Sequence, residues 1–268
     1  MSKRKEIATT QQPQLPAFMQ EDGQLGVEEM QQFITPPRLK IVQRQSGQEF
    51  LDKFEPGEVI LVPQFVKVAG LSEERNVGEP FYFTPIFFFP EWCLWNPIET
   101  KGSLPAIRER TLDPDSPMVV KSRRKELWEE KIDGVNCRYC EHLNFLVLIH
   151  GNDNVPPLPV VMSYARAEHR TGSNLASLIK MRNAPLFGCN FQGVTRVRSN
   201  QKGTWFGIDP TNPDANSGVT PFISSEAAYK DFRDLHMEYK EAHQKRIIRV
   251  DYEDDSVDTG EAVGTTEF

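Results

Sequence analysis

Hydrophobic positions along the chain gather into short dense runs separated by long polar spans, and most runs carry the composition of strands. Arg38–Gln43 (RLKIVQ), Glu58–Val68 (EVILVPQFVKV) and Pro80–Phe89 (PFYFTPIFFF) are dense in β-branched and aromatic residues. Leu143–His150 (LNFLVLIH) and Leu158–Tyr164 (LPVVMSY) predict two more strands, and Gly188–Ser199 with Gly203–Ile208 a hairpin turning through Asn200-Gln201-Lys202. Helical spacing marks Asn174–Arg182, capped by Ser173, with Leu175, Leu178 and Ile179 on one face. It recurs in Ser225–Gln244, where Ala228, Phe232, Leu235 and Tyr239 form one stripe. The polar span Asn96–Asn136, with a helical pattern near Lys121–Lys131, reads as a large insertion between strands. Residues 1–35 read as a flexible lead with a short amphipathic helix around Val27–Phe33, residues 36–250 as the folded domain, and residues 251–268 as a tail.

Several strands, one short helix and a closing hairpin predict a mainly β protein with peripheral helices. The order matches a five-stranded Greek-key barrel with a helix between its third and fourth strands, the OB-fold. A β-sandwich has a similar strand count.

Charge sharpens this picture at two places. The chain carries 31 Lys and Arg against 38 Asp and Glu, a net charge of −7. The tail alone holds seven acids, Asp251, Glu253, Asp254, Asp255, Asp258, Glu261 and Glu267, with no base, and ends on Phe268. Without it the body balances 31 against 31. So few apolar groups cannot offset the entropy of ordering, so the tail is expected to be disordered and to offer partner proteins acidic charge beside a terminal aromatic anchor. The second place is Val160–Phe206, where Arg166, Arg170, Lys180, Arg182, Arg196, Arg198 and Lys202 face a single acid, Glu168, for a local charge of +6. Tyr164, Phe191 and Trp205 are interleaved with them. Cations that track phosphates beside aromatic faces that stack bases are what single-stranded nucleic acid needs. In VTRVRSN, Arg196 and Arg198 share one strand face, and of the neighbours Trp205 and Phe206 only one can be core. The plainer reading is a solvated strand face over core aromatics.

Other chemistry is sparse. No apolar run approaches the ~20 residues that span a bilayer, and the basic start lacks an apolar signal region, so a cytoplasmic location is expected. Four cysteines are too few for a disulfide scaffold. Cys137-Arg-Tyr-Cys140 followed by His142 is a single zinc knuckle, which Cys93, Cys189 or His142 would have to complete as a structural zinc site; the alternative is unliganded cysteines. Phosphate loop, nucleophile elbow and HExxH helix are all missing, and the Arg166/Glu168/His169/Arg170 cluster lacks the extra carboxylates of a nuclease, so no enzyme is expected. Thr171–Asn174 (TGSN) reads as an N-cap sooner than a phosphate cradle.

PPRLKIVQ (Pro36–Gln43), EHLNF (Glu141–Phe145), SYARAEHRTGSNLASLIKMRNAPLFG (Ser163–Gly188) and GTWFGID (Gly203–Asp209), together with the acidic tail ending in Phe268, resemble bacteriophage single-stranded DNA-binding proteins. The resemblance covers Pro36 to Val250 and the tail. It implies an OB-fold, cooperative or oligomeric binding to unwound DNA in replication, recombination or repair, and tail contacts with polymerase, primase or helicase. Some phage members of that group carry structural zinc. The Asn96–Asn136 insertion departs from a minimal OB-fold. Three other functions suit the same residues: RNA binding or nucleic-acid chaperoning on the same fold, a replisome or transcription adaptor, and a metal-dependent nuclease.

Overall fold

The computed structural model describes residues 35–72, 77–97, 100, 103–123, 129–152, 155–201 and 203–252. The lead up to residue 34 with its expected helix, Lys202, and the tail from Glu253 onward lie outside the described residues.

Two long antiparallel strands form the spine. They are β6 (Phe81–Trp95) and β9 (Val135–Ile149), each 15 residues. Both are apolar on both faces because both faces are covered. Phe83, Phe145 and Val147 belong to one cluster, and Ile86, Phe89, Cys93 and Leu146 to another on the opposite side. A register shift between Pro85 and Phe87 reverses the alternation, so Phe87 and Phe89 of PIFFFP join the second cluster while Phe88 packs against Phe145 of the first. Among the described residues Pro85 and Pro90 lie where β6 has a strand partner on one side only: β11 (Phe191–Asn200) pairs at Phe81–Phe83, and β7 (Ile107–Thr111) from Trp92. A proline costs no ladder bond there. The Ile86 carbonyl on that side accepts from His236 Nδ1 at 2.7 Å.

β10 (Leu158–Ala165) pairs with β9, and β12 (Gly203–Thr211) with β11. Five antiparallel strands thus run in the order β10-β9-β6-β11-β12. Beyond β10 the sheet continues through β1 (Arg38–Ile41), parallel to it, then β2 (Val59–Val62) and β3 (Val66–Ala69); α1 (Gln48–Leu51) buries Phe50 against β2. A small ribbon, β4 (Leu71–Ser72) and β5 (Val77–Gly78), extends the β11 side. The described residues of the expected insertion join the same sheet. β7, α2 (Pro117–Arg123) and β8 (Glu129–Ile132) are stitched onto the far ends of β6 and β9, over Trp92, Leu94 and Tyr139. The result is mainly β, a curled open sheet forming half of a barrel.

Two helices cover its faces. α3 (His169–Met181) lays Leu175 against Leu143, Phe145 and Tyr164. It begins four residues before the cap expected at Ser173, whose hydroxyl instead donates to the His169 carbonyl at 3.1 Å inside the helix. α4 (Glu226–Gln244) starts at Ser225, whose hydroxyl accepts from Ala228 N at 3.3 Å. Its Phe232, Leu235 and Tyr239 stripe packs on the second face with Phe87 and Phe89.

The ordered chain runs past the expected boundary at Val250. Tyr252 is 1% exposed. Its hydroxyl lies 3.0 Å from Glu91 Oε2 and accepts from Asn144 Nδ2 at 2.8 Å, while the Arg38 and Arg110 guanidiniums flank its ring at 5.7 and 5.6 Å. Acidic neighbours disguise a core residue that closes the sheet from outside.

Candidate nucleic-acid interface

β1 meets β10 for only two residue pairs, Arg38 with Val161 and Leu39 with Met162, and then diverges toward β12. Ser163, Tyr164 and Ala165 consequently pair with β9 on one side and with no strand on the other among the described residues. Across this seam the Gln43 amide imitates a strand, donating to the Phe206 carbonyl and accepting from Phe206 N, both at 2.9 Å. Between the two edges lies a cavity of about 200 Å³. Arg38, Lys40, Trp95, His142, Arg166 and Trp205 are among its lining residues.

Arg166 opens a single 3-10 turn, Arg166–Glu168, at φ 51°, the left-handed region that a side chain disfavours. That backbone places its guanidinium 5.3 Å over the Trp95 ring. Glu168, two residues on, accepts from the Trp205 indole at 2.8 Å and pairs with Arg198 Nε at 2.9 Å. Gly207 makes room for it: a Cβ there would sit 2.6 Å from Glu168 Oε2. Burial raises the Glu168 pKa above the ordinary carboxylate value, and the Trp205 and Arg198 hydrogen bonds and charge oppose that rise only in part. Trp205 should therefore report the titration. Its fluorescence is expected to change on acidification with a midpoint above 4.5, the ordinary value, and the change should vanish in Glu168→Gln. A midpoint at or below that value would contradict this anchoring.

The remaining expected contacts separate into three groups. Arg170 and Lys180 stand exposed on α3, and Arg196 is half-exposed with a 3.1 Å contact to Asp209. Arg198 and Arg182 are occupied by the fold. Arg198 bonds Glu168, Asp209 and Thr171, and Arg182 stacks 3.9 Å over Phe191 while donating to the Asn190 and Pro221 carbonyls. The third group is core: Tyr164 is 2% exposed and Phe191 fully buried, so neither ring can stack on a base. Tyr164 lies under Gly172 of α3, and Phe191 stacks on Phe83. The +6 segment is thus partly neutralised, because Asp209 lies three residues beyond its end and faces both strand arginines. Trp205 is the half-exposed neighbour, and Phe206 the core one.

The knuckle is pulled apart. Three residues along a strand reverse the face, so Cys137 joins Trp92 and Tyr139 while Cys140 joins Cys93 and Trp95 on the other side. Cys137 donates to Asn96 Oδ1 at 3.3 Å. His142 packs 4.4 Å from the Tyr252 ring. Among the described residues no three His, Cys, Asp or Glu side chains converge on one point.

Four residues at the seam escaped the sequence reading: Arg38, Lys40, Arg44 and Trp95. Alternation in RLKIVQ does put Arg38 and Lys40 on one face. Arg44 is exposed, its guanidinium 6.0 Å over Phe206. No helix among the described residues is long and apolar enough to cross a membrane. No curated protein and no solved structure matches the chain. One family model, described as Pam3 phage gp34-like protein, matches residues 7–245.

Proposed function

The chain belongs to the Pam3 phage gp34-like protein family, and on that premise we propose that it is a non-enzymatic single-stranded DNA-binding protein acting in phage replication, recombination or repair. The observation that carries this reading is the seam: among the described residues the sheet is left open between β10 and β12, with Arg166 in its lining, Arg44 over Phe206 and Trp205 half-exposed beside it, and the exposed Arg170 and Arg196 are proposed to extend this cationic surface. Cations around an aromatic platform bind single strands through phosphates and stacking, about 1–3 kcal/mol per stacked base, and read little sequence. Duplex, with its bases stacked inside, cannot use the platform.

The strand order β10-β9-β6-β11-β12, with α3 between β10 and β11, supports relating the body to the OB-fold. On this reading β1 takes the place beside β10 that strand five would occupy in a closed barrel. The ligand-carrying strands of OB-folds, the second and third, correspond to β9 and β10, which border the seam. The acidic stretch Glu253–Phe268 is proposed to recruit replication proteins such as polymerase, primase or helicase. It follows directly on Tyr252, which touches the cavity-lining Arg38, Trp95 and His142.

The test is anisotropy of a labelled oligo(dT) with unlabelled single strand or duplex of equal length as competitor. Single strand is expected to displace the label at least ~10-fold more effectively than duplex, from the stacking contribution above. Equal competition would contradict the reading, and stronger competition by RNA would move it to RNA binding.

A further inference from the structure

The cavity inside the seam is too small for a strand to run through and is lined as a pocket for one unit of it. The geometry points to a nucleotide site: the cavity takes a single nucleoside monophosphate, its phosphate against Arg166 and Arg38 and its base against Trp205. This deepens the DNA-binding reading and rests on it.

Three independent features support the assignment. The volume, about 200 Å³, is smaller than a typical ligand pocket, but the cavity opens to solvent, so a nucleotide seats there in part with the remainder outside. The lining carries Arg38, Lys40 and Arg166 together with Glu168, whose Oε1 is already bound by Trp205 and Arg198. Arg38 and Lys40 are 6% and 4% exposed, with the Arg38 guanidinium 5.7 Å from the Tyr252 ring and the Lys40 ammonium 4.9 Å from the Phe50 ring. An anion in such a place is held more strongly than on an open surface. The third feature is strain. Arg166 holds a left-handed backbone, φ 51°, that aims its guanidinium across Trp95, whose indole N–H has no acceptor among the described residues. Non-glycine residues kept in that region cluster at ligand clamps. A phosphate monoester, with roughly −1.5 to −2 charges near neutrality, matches the lining better than a phosphodiester with one.

Two sources share this chemistry, a free nucleotide and the phosphorylated end of a DNA strand. Full-length protein is titrated with dTMP, thymidine and inorganic phosphate while tryptophan emission is followed, and dTMP is then used to compete labelled oligo(dT). dTMP is expected to saturate the signal, with thymidine and phosphate each at least ~10-fold weaker, since removing one charge-assisted partner costs about that factor. Arg166→Ala should weaken dTMP about tenfold and Arg166→Lys should restore part of the loss. Lys230→Ala, exposed on α4 and outside the seam, should leave dTMP binding unchanged. If dTMP displaces oligo(dT), and 5′- or 3′-phosphorylated oligomers bind better than their hydroxyl counterparts, the pocket holds a strand end. If dTMP binds without displacing oligo(dT), the pocket serves free nucleotide. If oligo(dT) binds while dTMP neither binds nor competes, the nucleotide pocket is refuted and the single-strand reading stands. If dTMP binds while oligo(dT) does not, the pocket stands and the single-strand reading falls. Silence with both ligands refutes both.

Discussion

Replacing Tyr252 by Ala, or ending the chain at Val250, is expected to lower unfolding stability by about 3–5 kcal/mol, the range for emptying a buried aromatic site. Ending it after Tyr252 should cost almost nothing. The ring lies among Trp95, His142, Arg38 and Arg110 and is 1% exposed, so no water replaces it cheaply. Its hydroxyl serves Asn144, fully buried, and Glu91, 3% exposed, and their loss leaves polar groups unsatisfied. Tyr252→Phe isolates that polar part and should cost about 1–3 kcal/mol. Burial raises the Glu91 pKa above its ordinary value against the pull of the Arg110 charge. A carboxyl whose folded pKa is raised favours the fold while protonated, and that contribution is lost as pH rises through the folded value. Wild type should therefore lose stability relative to Glu91→Gln as pH rises from about 4.5 through the elevated value. Urea melts of the two truncations and three variants at two pH values check all of this. Equal midpoints for chains ending at Val250 and at Tyr252 would show that Tyr252 is not part of the fold.

Arg182→Ala is expected to destabilise by about 3 kcal/mol and to leave oligo(dT) affinity unchanged. The guanidinium lies 3.9 Å over Phe191, donates to the carbonyls of Asn190 and Pro221 at 2.9 and 2.8 Å, and reaches Asn212 Oδ1 at 2.6 Å. It fastens the 212–222 loop to the start of β11. Charge-assisted bonds of this kind contribute about 1.5–3 kcal/mol each, shared among partners that water can partly replace, and the ring contact about 0.5–2. A phosphate-binding arginine would behave in the opposite way, with intact stability and weaker DNA binding. Thermal melts and anisotropy on the same preparation separate the two.

These two residues also mark where the sequence is legible. Local pattern locates the elements well: RLKIVQ holds β1, LPVVMSY holds all but the last residue of β10, and the helix read over Ser225–Gln244 is α4, Glu226–Gln244, with Ser225 as its cap. β6 and β9 extend beyond their apolar runs, because Glu91 and Glu141 are carried in strand by pairing with neighbours that the period does not reveal. Charge is the harder quantity. A sum over Val160–Phe206 counts Arg182 and Arg198 as available, yet their partners lie at Asn190, Asn212, Pro221 and Asp209, brought near only by the tertiary fold. Composition likewise assigns Tyr252 to the acidic tail, whereas burial assigns it to the body. CxxC suggests convergence only if the backbone turns there, and in a continuous strand it diverges.

The most direct test of the single-strand reading is the salt dependence of oligo(dT) affinity, measured on the full chain and on the chain ending at Tyr252. If Arg44, Arg166, Arg170 and Arg196 each neutralise a phosphate as proposed, log K should fall against log salt with a slope of about −3. The shorter chain should bind at least as tightly, because the removed acids can no longer compete for the rim. A slope near zero, or weaker binding without Glu253–Phe268, would contradict the account.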